Sequence, residues 1–135
     1  MSRRTFASIA ALFSLVNAVP GLIAPAAVAS LYGVTVDSQS ALVAQMLAAS
    51  YIGYALINWT TRACTDVALC RGLDAGNLVA WAVSAVIWIY AASIGMINSV
   101  GGVGAGFAVV FTLGWAYFVF ADRPTASRVI AATPR

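Results

Sequence analysis

Four long apolar runs constrain this chain more than any other feature of its sequence. They cover residues 5–24, 41–59, 77–97 and 105–121, and each is close to the roughly 20 apolar residues that carry a helix across the hydrocarbon core of a bilayer. A chain of 135 residues that is 62% hydrophobic and 8% charged cannot bury so much apolar surface in one water-soluble core. The sequence therefore predicts one domain over residues 1–135, an all-α integral membrane bundle of four transmembrane helices.

The positive charges predict the orientation of the four spans. All seven are arginines, and they lie before the first span, between the second and third, and after the fourth: Arg3, Arg4, Arg62, Arg71, Arg123, Arg128 and Arg135. The connections at 25–40 and 98–104 contain none. Because positively charged loops stay on the cytoplasmic side, we expect a multi-pass protein of the bacterial inner membrane with both termini, including a tail at 122–135, in the cytoplasm.

The N-terminus has a second interpretation. Residues 2–6, Ser-Arg-Arg-Thr-Phe, resemble a twin-arginine export signal, and Ala27-Val-Ala29 before Ser30 resembles a cleavage site. However, the run 5–24 is longer than the roughly 7–15 residues of a signal-peptide core, and three more apolar runs follow it. We favour retention of this run as the first helix, and cleavage after Ala29 stays the alternative.

The connection after the first span predicts a short interfacial helix. Pro20 is expected to kink or end the first span, because proline removes one hydrogen bond of the helix. Pro25 suits the first turn of a helix over residues 26–32, and Gly33 suits its left-handed cap. Asp37 or Ser38 can cap the second span.

Two polar side chains lie at a comparable depth in the outer half of the first two spans. Asn17 is twelve residues beyond Thr5, and Gln45 is about one turn into the second span. We expect a hydrogen bond between Asn17 and Gln45 that holds the two helices together.

A second group of polar residues marks the inner side of the second and third spans. Its members recur on one stripe of the second span or begin the third span: Tyr51, Tyr54, Asn58, Arg62, Asp74 and Asn77. Asp74 is expected to start the third helix and to pair with Arg62 or Arg71. The functional interpretation is a polar pocket for a lipid headgroup, a quinone head or a small anion. The structural alternative is an ordinary interfacial girdle of such residues.

Several residue types that carry chemistry are missing or unsuitably placed. The chain has no His, Glu or Lys, so it lacks a general base of neutral pKa, and without His its two cysteines alone cannot make a four-ligand zinc site. Cys64 and Cys70 are six residues apart, and the predicted topology puts them in the reducing cytoplasm. We expect two free thiols, and we predict no catalytic residue, no cofactor and no metal site.

Small residues indicate where helices approach closely. Gly72, Gly76, Ala80 and Ser84 follow one another at intervals of four along the third span, and Gly106 and Gly114 share a face of the fourth. Such spacing lets helix backbones meet, either within one chain or between two copies.

Several short segments together resemble a known layout. They are Leu31-Tyr32-Gly33, Leu56-Ile57-Asn58-Trp59 before an arginine-bearing loop, Gly76-Asn77, and Gly114-Trp115-Ala116-Tyr117. This layout resembles a widespread group of small bacterial four-helix membrane proteins and, more loosely, DoxX-like proteins, some of which are associated with quinol oxidation. The resemblance implies a helical bundle in the inner membrane, and it assigns no catalytic residue to this chain.

Two functional hypotheses follow. The first is a non-enzymatic accessory or structural bundle, whose partners are the lipid bilayer and a bound lipid, quinone or membrane protein, or a second copy of itself. The second is a small dimeric transporter or channel for a neutral or weakly polar solute. Nucleic acid is not expected as a partner, since no basic cluster carries the interleaved aromatic residues that such binding uses.

Overall fold

The computed structural model describes residues 1–121 and is helical, with no strand in that part of the chain. The helices are α1 (Arg3–Ile23), α2 (Pro25–Leu31), α3 (Ser38–Thr61), α4 (Val67–Ser93) and α5 (Ser99–Phe120). All except α2 are long and apolar enough to cross a membrane. The predicted all-α bundle of four candidate spans, with a short helix after the first, is therefore confirmed. The tail at 122–135, with Arg123, Arg128 and Arg135, lies outside the described residues.

The third long helix differs from its predicted bounds. It runs over Val67–Ser93, whereas the apolar run covers residues 77–97. Asp66 caps it, with its carboxylate accepting the backbone N–H of Leu69 at 2.7 Å. Hydropathy locates the apolar part of a helix and does not report a more polar first turn. The prediction that Asp74 starts this helix is consequently wrong, since Asp74 lies seven residues, or about 10 Å, inside it.

The connection between α1 and α3, at the opposite end of the bundle, follows the predictions more closely. Asp37 caps α3 by accepting the N–H of Ser40 at 2.7 Å. Pro25 is in the first turn of α2, and Gly33 follows that helix with a φ of 79°. Pro20 does not end α1, which continues to Ile23.

The long helices associate as two pairs. α1 packs along α3, and α4 packs along α5, while α1 and α5 touch over a short stretch. The two pairs share a core of alanine and aromatic residues: Phe6, Ala7, Ala10, Trp81, Ala85, Ala108, Phe111, Trp115 and Phe118. Phe6 meets Trp115 edge to face at 5.0 Å between ring centroids, and Trp81 stacks on Phe111 at 4.4 Å. Because α3 and α4 make few direct contacts, a groove remains between them.

The outer surface and the role of α1 fit a bundle solvated by lipid. Large apolar side chains such as Val16, Val86 and Leu113 are exposed, as expected where the surroundings are hydrocarbon. Phe6, by contrast, contacts rings of α5 and is only 4% exposed. The first apolar run is therefore an integral part of the core, and this packing supports its retention as a helix.

Candidate functional site

A buried ion pair joins the two helix pairs at the end of the bundle where α1 begins. The Arg3 guanidinium donates from Nε to both carboxylate oxygens of Asp74, at 2.8 and 2.9 Å, and its Nη2 lies 2.7 Å from Oδ1. Nη1 donates to the carbonyl of Thr61 at 3.2 Å. One side chain of α1 thus binds the last residue of α3 and the interior of α4.

The predicted pairing of Asp74 with Arg62 or Arg71 is wrong. Because α4 begins ten residues earlier than the apolar run, Asp74 faces α1 instead of the loop. Arg62 folds over the ring of Trp59, with the guanidinium carbon 4.0 Å from the ring centroid, and donates to the Trp59 carbonyl. Asp74 has only 4% of its side chain exposed, so the Arg3 charge is what compensates it.

Three further polar side chains extend this cluster between α3 and α4. The Tyr54 hydroxyl donates to Oδ1 of Asn77, which connects the two helices directly. Asn77 Nδ2 donates to the Leu73 carbonyl at 2.8 Å, and Asn58 Nδ2 donates to the Tyr54 carbonyl at 3.1 Å. Asn58 and Asn77 are both buried. The interior of a membrane bundle requires such polar groups to be satisfied internally.

The structure brings four of the six predicted pocket residues together and separates the other two. Tyr54, Asn58, Asp74 and Asn77 form the cluster with Arg3. Tyr51 lies further along α3, in the groove, and Arg62 is held at the loop by Trp59.

The predicted hydrogen bond between Asn17 and Gln45 does not form. Asn17 Nδ2 donates to the carbonyl of Phe13 in its own helix at 2.7 Å. Gln45 Nε2 instead donates to the Leu22 carbonyl at 2.9 Å. Leu22 is in the last turn of α1, where carbonyls have no partner within the helix. Gln45 therefore connects α3 to α1 by capping that turn.

The groove between α3 and α4 contains a cavity of about 230 Å³. Its lining is apolar and aromatic with hydroxyl groups: Leu47, Ser50, Tyr51 and Tyr54 from α3, and Ala80, Trp81 and Ser84 from α4. The cavity is open to the side of the bundle, because Leu47, Ser50 and Ala80 are exposed. Tyr54 is seven residues from the end of α3 and Leu47 nine from its start, which puts the cavity about 10 Å or more from either end.

Trp81 forms the inner wall of this cavity. Its ring stacks on Phe111 and meets Tyr54 edge to face, with centroids 6.5 Å apart. The residue is 7% exposed, and its indole Nε1 has no hydrogen-bond partner among residues 1–121. The Nε1 atom is itself buried, and Trp115 Nε1 is likewise buried without a partner in this part of the chain, so the unpaired indole is shared by two tryptophans of the aromatic core.

The cysteines differ from the prediction of free thiols. Cys64 and Cys70 form a disulfide, with Cα atoms 6.0 Å apart, a separation within the usual range for this bond. The Asp66 cap starts α4 early enough to place Cys70 in its first turns, directly beside the loop residue Cys64. Over residues 1–121, no group of three His, Cys, Asp or Glu side chains could hold a metal ion.

Sequence reasoning missed Arg3 as a site residue, because its charge indicates only topology and nothing in the sequence links residues 3 and 74. Trp81 can be placed beside Asn77 and Ser84 from the sequence, because the three residues share one face of a helix.

Comparisons of the chain with protein-family models, with curated proteins and with solved structures gave no match. The resemblance to small bacterial four-helix membrane proteins therefore stays a prediction, and the function has to be inferred from the geometry.

Proposed function

We propose that this protein is a non-enzymatic, multi-pass protein of the bacterial inner membrane, with cytoplasmic termini, that holds a lipophilic molecule from the bilayer between α3 and α4. The observation that carries the proposal is the open cavity of about 230 Å³ lined by Tyr51, Tyr54 and Trp81. Aromatic and apolar walls with a few polar groups are typical of small-molecule sites. The one-sided distribution of the arginines supports the orientation.

The way the helices pair supports a binding site rather than a packing defect. Two polar links, Arg3–Asp74 and Tyr54–Asn77, hold the helix pairs together at one end of the groove. Further along, α3 and α4 are held by α1 and α5 instead of by each other. The groove can therefore stay open without loss of the core, and a molecule from the bilayer can enter from the side.

The interior of the monomer does not favour transport. The buried residues that α1 and α3 contribute are mainly alanines, among them Ala11, Ala18, Ala48 and Ala55. The buried hydroxyl of Ser14 donates to Ala10 of its own helix. A path for a polar solute between the levels of Gln45 and Asn58 would need more polar groups than this packing supplies.

Groove filling tests the proposal. The chain, purified in mild detergent, is compared with Ala80→Phe, which fills the cavity, and with Ala92→Phe, which places the same ring on an exposed position of α4 outside the cavity. Native mass spectrometry and extraction of bound lipids should show a retained lipophile in the unmodified chain and in Ala92→Phe, and its loss in Ala80→Phe. Equal retention in all three would contradict the proposal, and a retained membrane protein displaced only by Ala80→Phe would identify a protein as the occupant of the groove.

A further inference from the structure

The charges of the described residues limit what the groove can hold. None of its seven lining residues is ionisable at neutral pH. The ion pair at one end of the groove, Arg3 with Asp74, is mutually neutralised. A charged headgroup would also be unfavourable at this depth, about 10 Å from the nearer end of α3. The groove is thus suited to a neutral molecule.

The two serine hydroxyls of the groove can act as acceptors toward a ligand. Ser50 Oγ donates to the Met46 carbonyl at 3.1 Å, and Ser84 Oγ donates to the Ala80 carbonyl at 2.8 Å. Both oxygens have used their protons and keep lone pairs that can accept a hydrogen bond. A ligand that carries a donor can satisfy them.

The Tyr51 hydroxyl also lines the cavity, and a phenolic hydroxyl can donate or accept a hydrogen bond. A ligand hydroxyl can donate to a serine oxygen and accept from the Tyr51 hydroxyl, whereas an ester or ketone can only accept. A hydroxyl therefore complements both kinds of group.

From this complementarity we infer that the molecule held between α3 and α4 is a neutral lipophilic alcohol, whose hydroxyl group bonds within the cavity lined by Ser50, Tyr51 and Ser84 while its hydrocarbon part extends into the bilayer. The inference rests on the proposed function of the groove. The cavity, at about 230 Å³, is smaller than the roughly 300–1,000 Å³ of sites that enclose drug-sized ligands, so it takes one end of a long molecule.

A matched series of probes tests the inference. 1-Hexadecanol, methyl hexadecanoate, hexadecane and hexadecyl phosphate share a chain and differ in the end group. Native mass spectrometry of the full chain gives the bound fraction of each probe in a titration. Hexadecanol should bind about three- to tenfold more tightly than hexadecane and methyl hexadecanoate, the ratio that about one net hydrogen bond gives.

Variants of the lining residues test whether the preference for hexadecanol arises in the groove. The double variant Ser50→Ala/Ser84→Ala should lose the preference for the alcohol and still bind hexadecane as before. Ser93→Ala removes an exposed hydroxyl on α4 outside the cavity and should leave the binding of all four probes unchanged.

The outcomes separate the inference from the proposed function. Equal binding of all four probes, or a preference for the ester or the phosphate, with loss of binding in Ala80→Phe, would overturn the inference and leave the proposed function standing. Binding that Ala80→Phe does not change would overturn both. A preference for hexadecanol that survives in the double serine variant would also overturn the inference.

Discussion

Arg3 and Asp74 are 71 residues apart in the sequence, and they form a two-pronged ion pair between α1 and α4. The side chain of Asp74 is 4% exposed and that of Arg3 16%. This pair is the only salt bridge among residues 1–121, and it closes one end of the groove by connecting helices that otherwise belong to different pairs.

Removing one partner of this ion pair should destabilise the bundle strongly. Asp74→Ala leaves the Arg3 guanidinium without its counter-charge in a largely buried site, and breaking a buried pair costs roughly 3–5 kcal/mol. The residual exposure of Arg3 places the expected loss toward the lower end of that range. Unfolding by titration with sodium dodecyl sulfate measures the change in stability.

Arg4 offers a matched control for the ion pair, because it is exposed and next in the chain. Arg4→Ala should change the free energy of unfolding by less than about 0.5 kcal/mol. Arg3→Ala should lower the free energy of unfolding far more. The double variant Arg3→Met/Asp74→Leu should recover most of that stability, because no unpaired charge remains. Equal effects of Arg3→Ala and Arg4→Ala would refute the structural role of the pair.

A larger residue at Gly114 should destabilise the bundle, because a Cβ atom at this position would overlap the ring of Phe6. Gly114→Ala is expected to cost about 1–3 kcal/mol through overpacking. Gly106→Ala is the control on the same helix, since a Cβ there meets nothing within 4 Å and alanine favours the helix by about 1 kcal/mol in an exposed position. The same unfolding titration compares them, and a stabilised Gly114→Ala would show that Phe6 and α5 do not pack as described.

The hydrogen bond from Tyr54 to Asn77 should make a small but measurable contribution. Tyr54→Phe keeps the ring and removes the donor, and interhelical hydrogen bonds in membrane proteins average about 0.6 kcal/mol with a maximum near 1.7. Tyr90→Phe removes the same group from an exposed position and should have no effect on stability. Equal losses in the two variants would mean that the bond does not connect α3 and α4.

The redox state of Cys64 and Cys70 tests the orientation of the bundle. In the proposed topology their loop lies in the reducing cytoplasm, whereas the structure shows a disulfide. We expect that acid trapping and alkylation of whole cells will label both thiols, and that the purified protein will form the bond in air because the two residues are already adjacent. Mass spectrometry counts the alkyl groups. Full protection in trapped cells would place this loop on the oxidising side and overturn the proposed topology.

The N-terminal run should be present in the mature protein, because Phe6, Ala7 and Ala10 belong to the shared core. Removing α1 would expose the faces of α3 and α5 that it covers. N-terminal sequencing or an intact mass decides the matter, and a mature chain that starts at Ser30 would show that the arginine pair acts as an export signal.

Some features of the site could be predicted from the sequence because they depend on local periodicity. Tyr54 and Asn58 lie four residues apart on α3, so their shared face follows from helix geometry alone. Gln45 was correctly placed at the contact of α1 and α3, but its acceptor is a backbone carbonyl that any residue supplies. For that reason no side-chain pattern could identify Leu22 as the partner.

The sequence by itself determined the four apolar helices, the short helix opened by Pro25, and the segregation of arginines, because length, hydropathy and charge act along the chain. Only the tertiary structure decided that Arg3 compensates Asp74 and that α3 and α4 leave a groove beside Trp81. Which helices pair depends on how side chains of different volume interlock across space. In this bundle the alanines of α1 and α3 and the aromatic rings of α4 and α5 set that pairing.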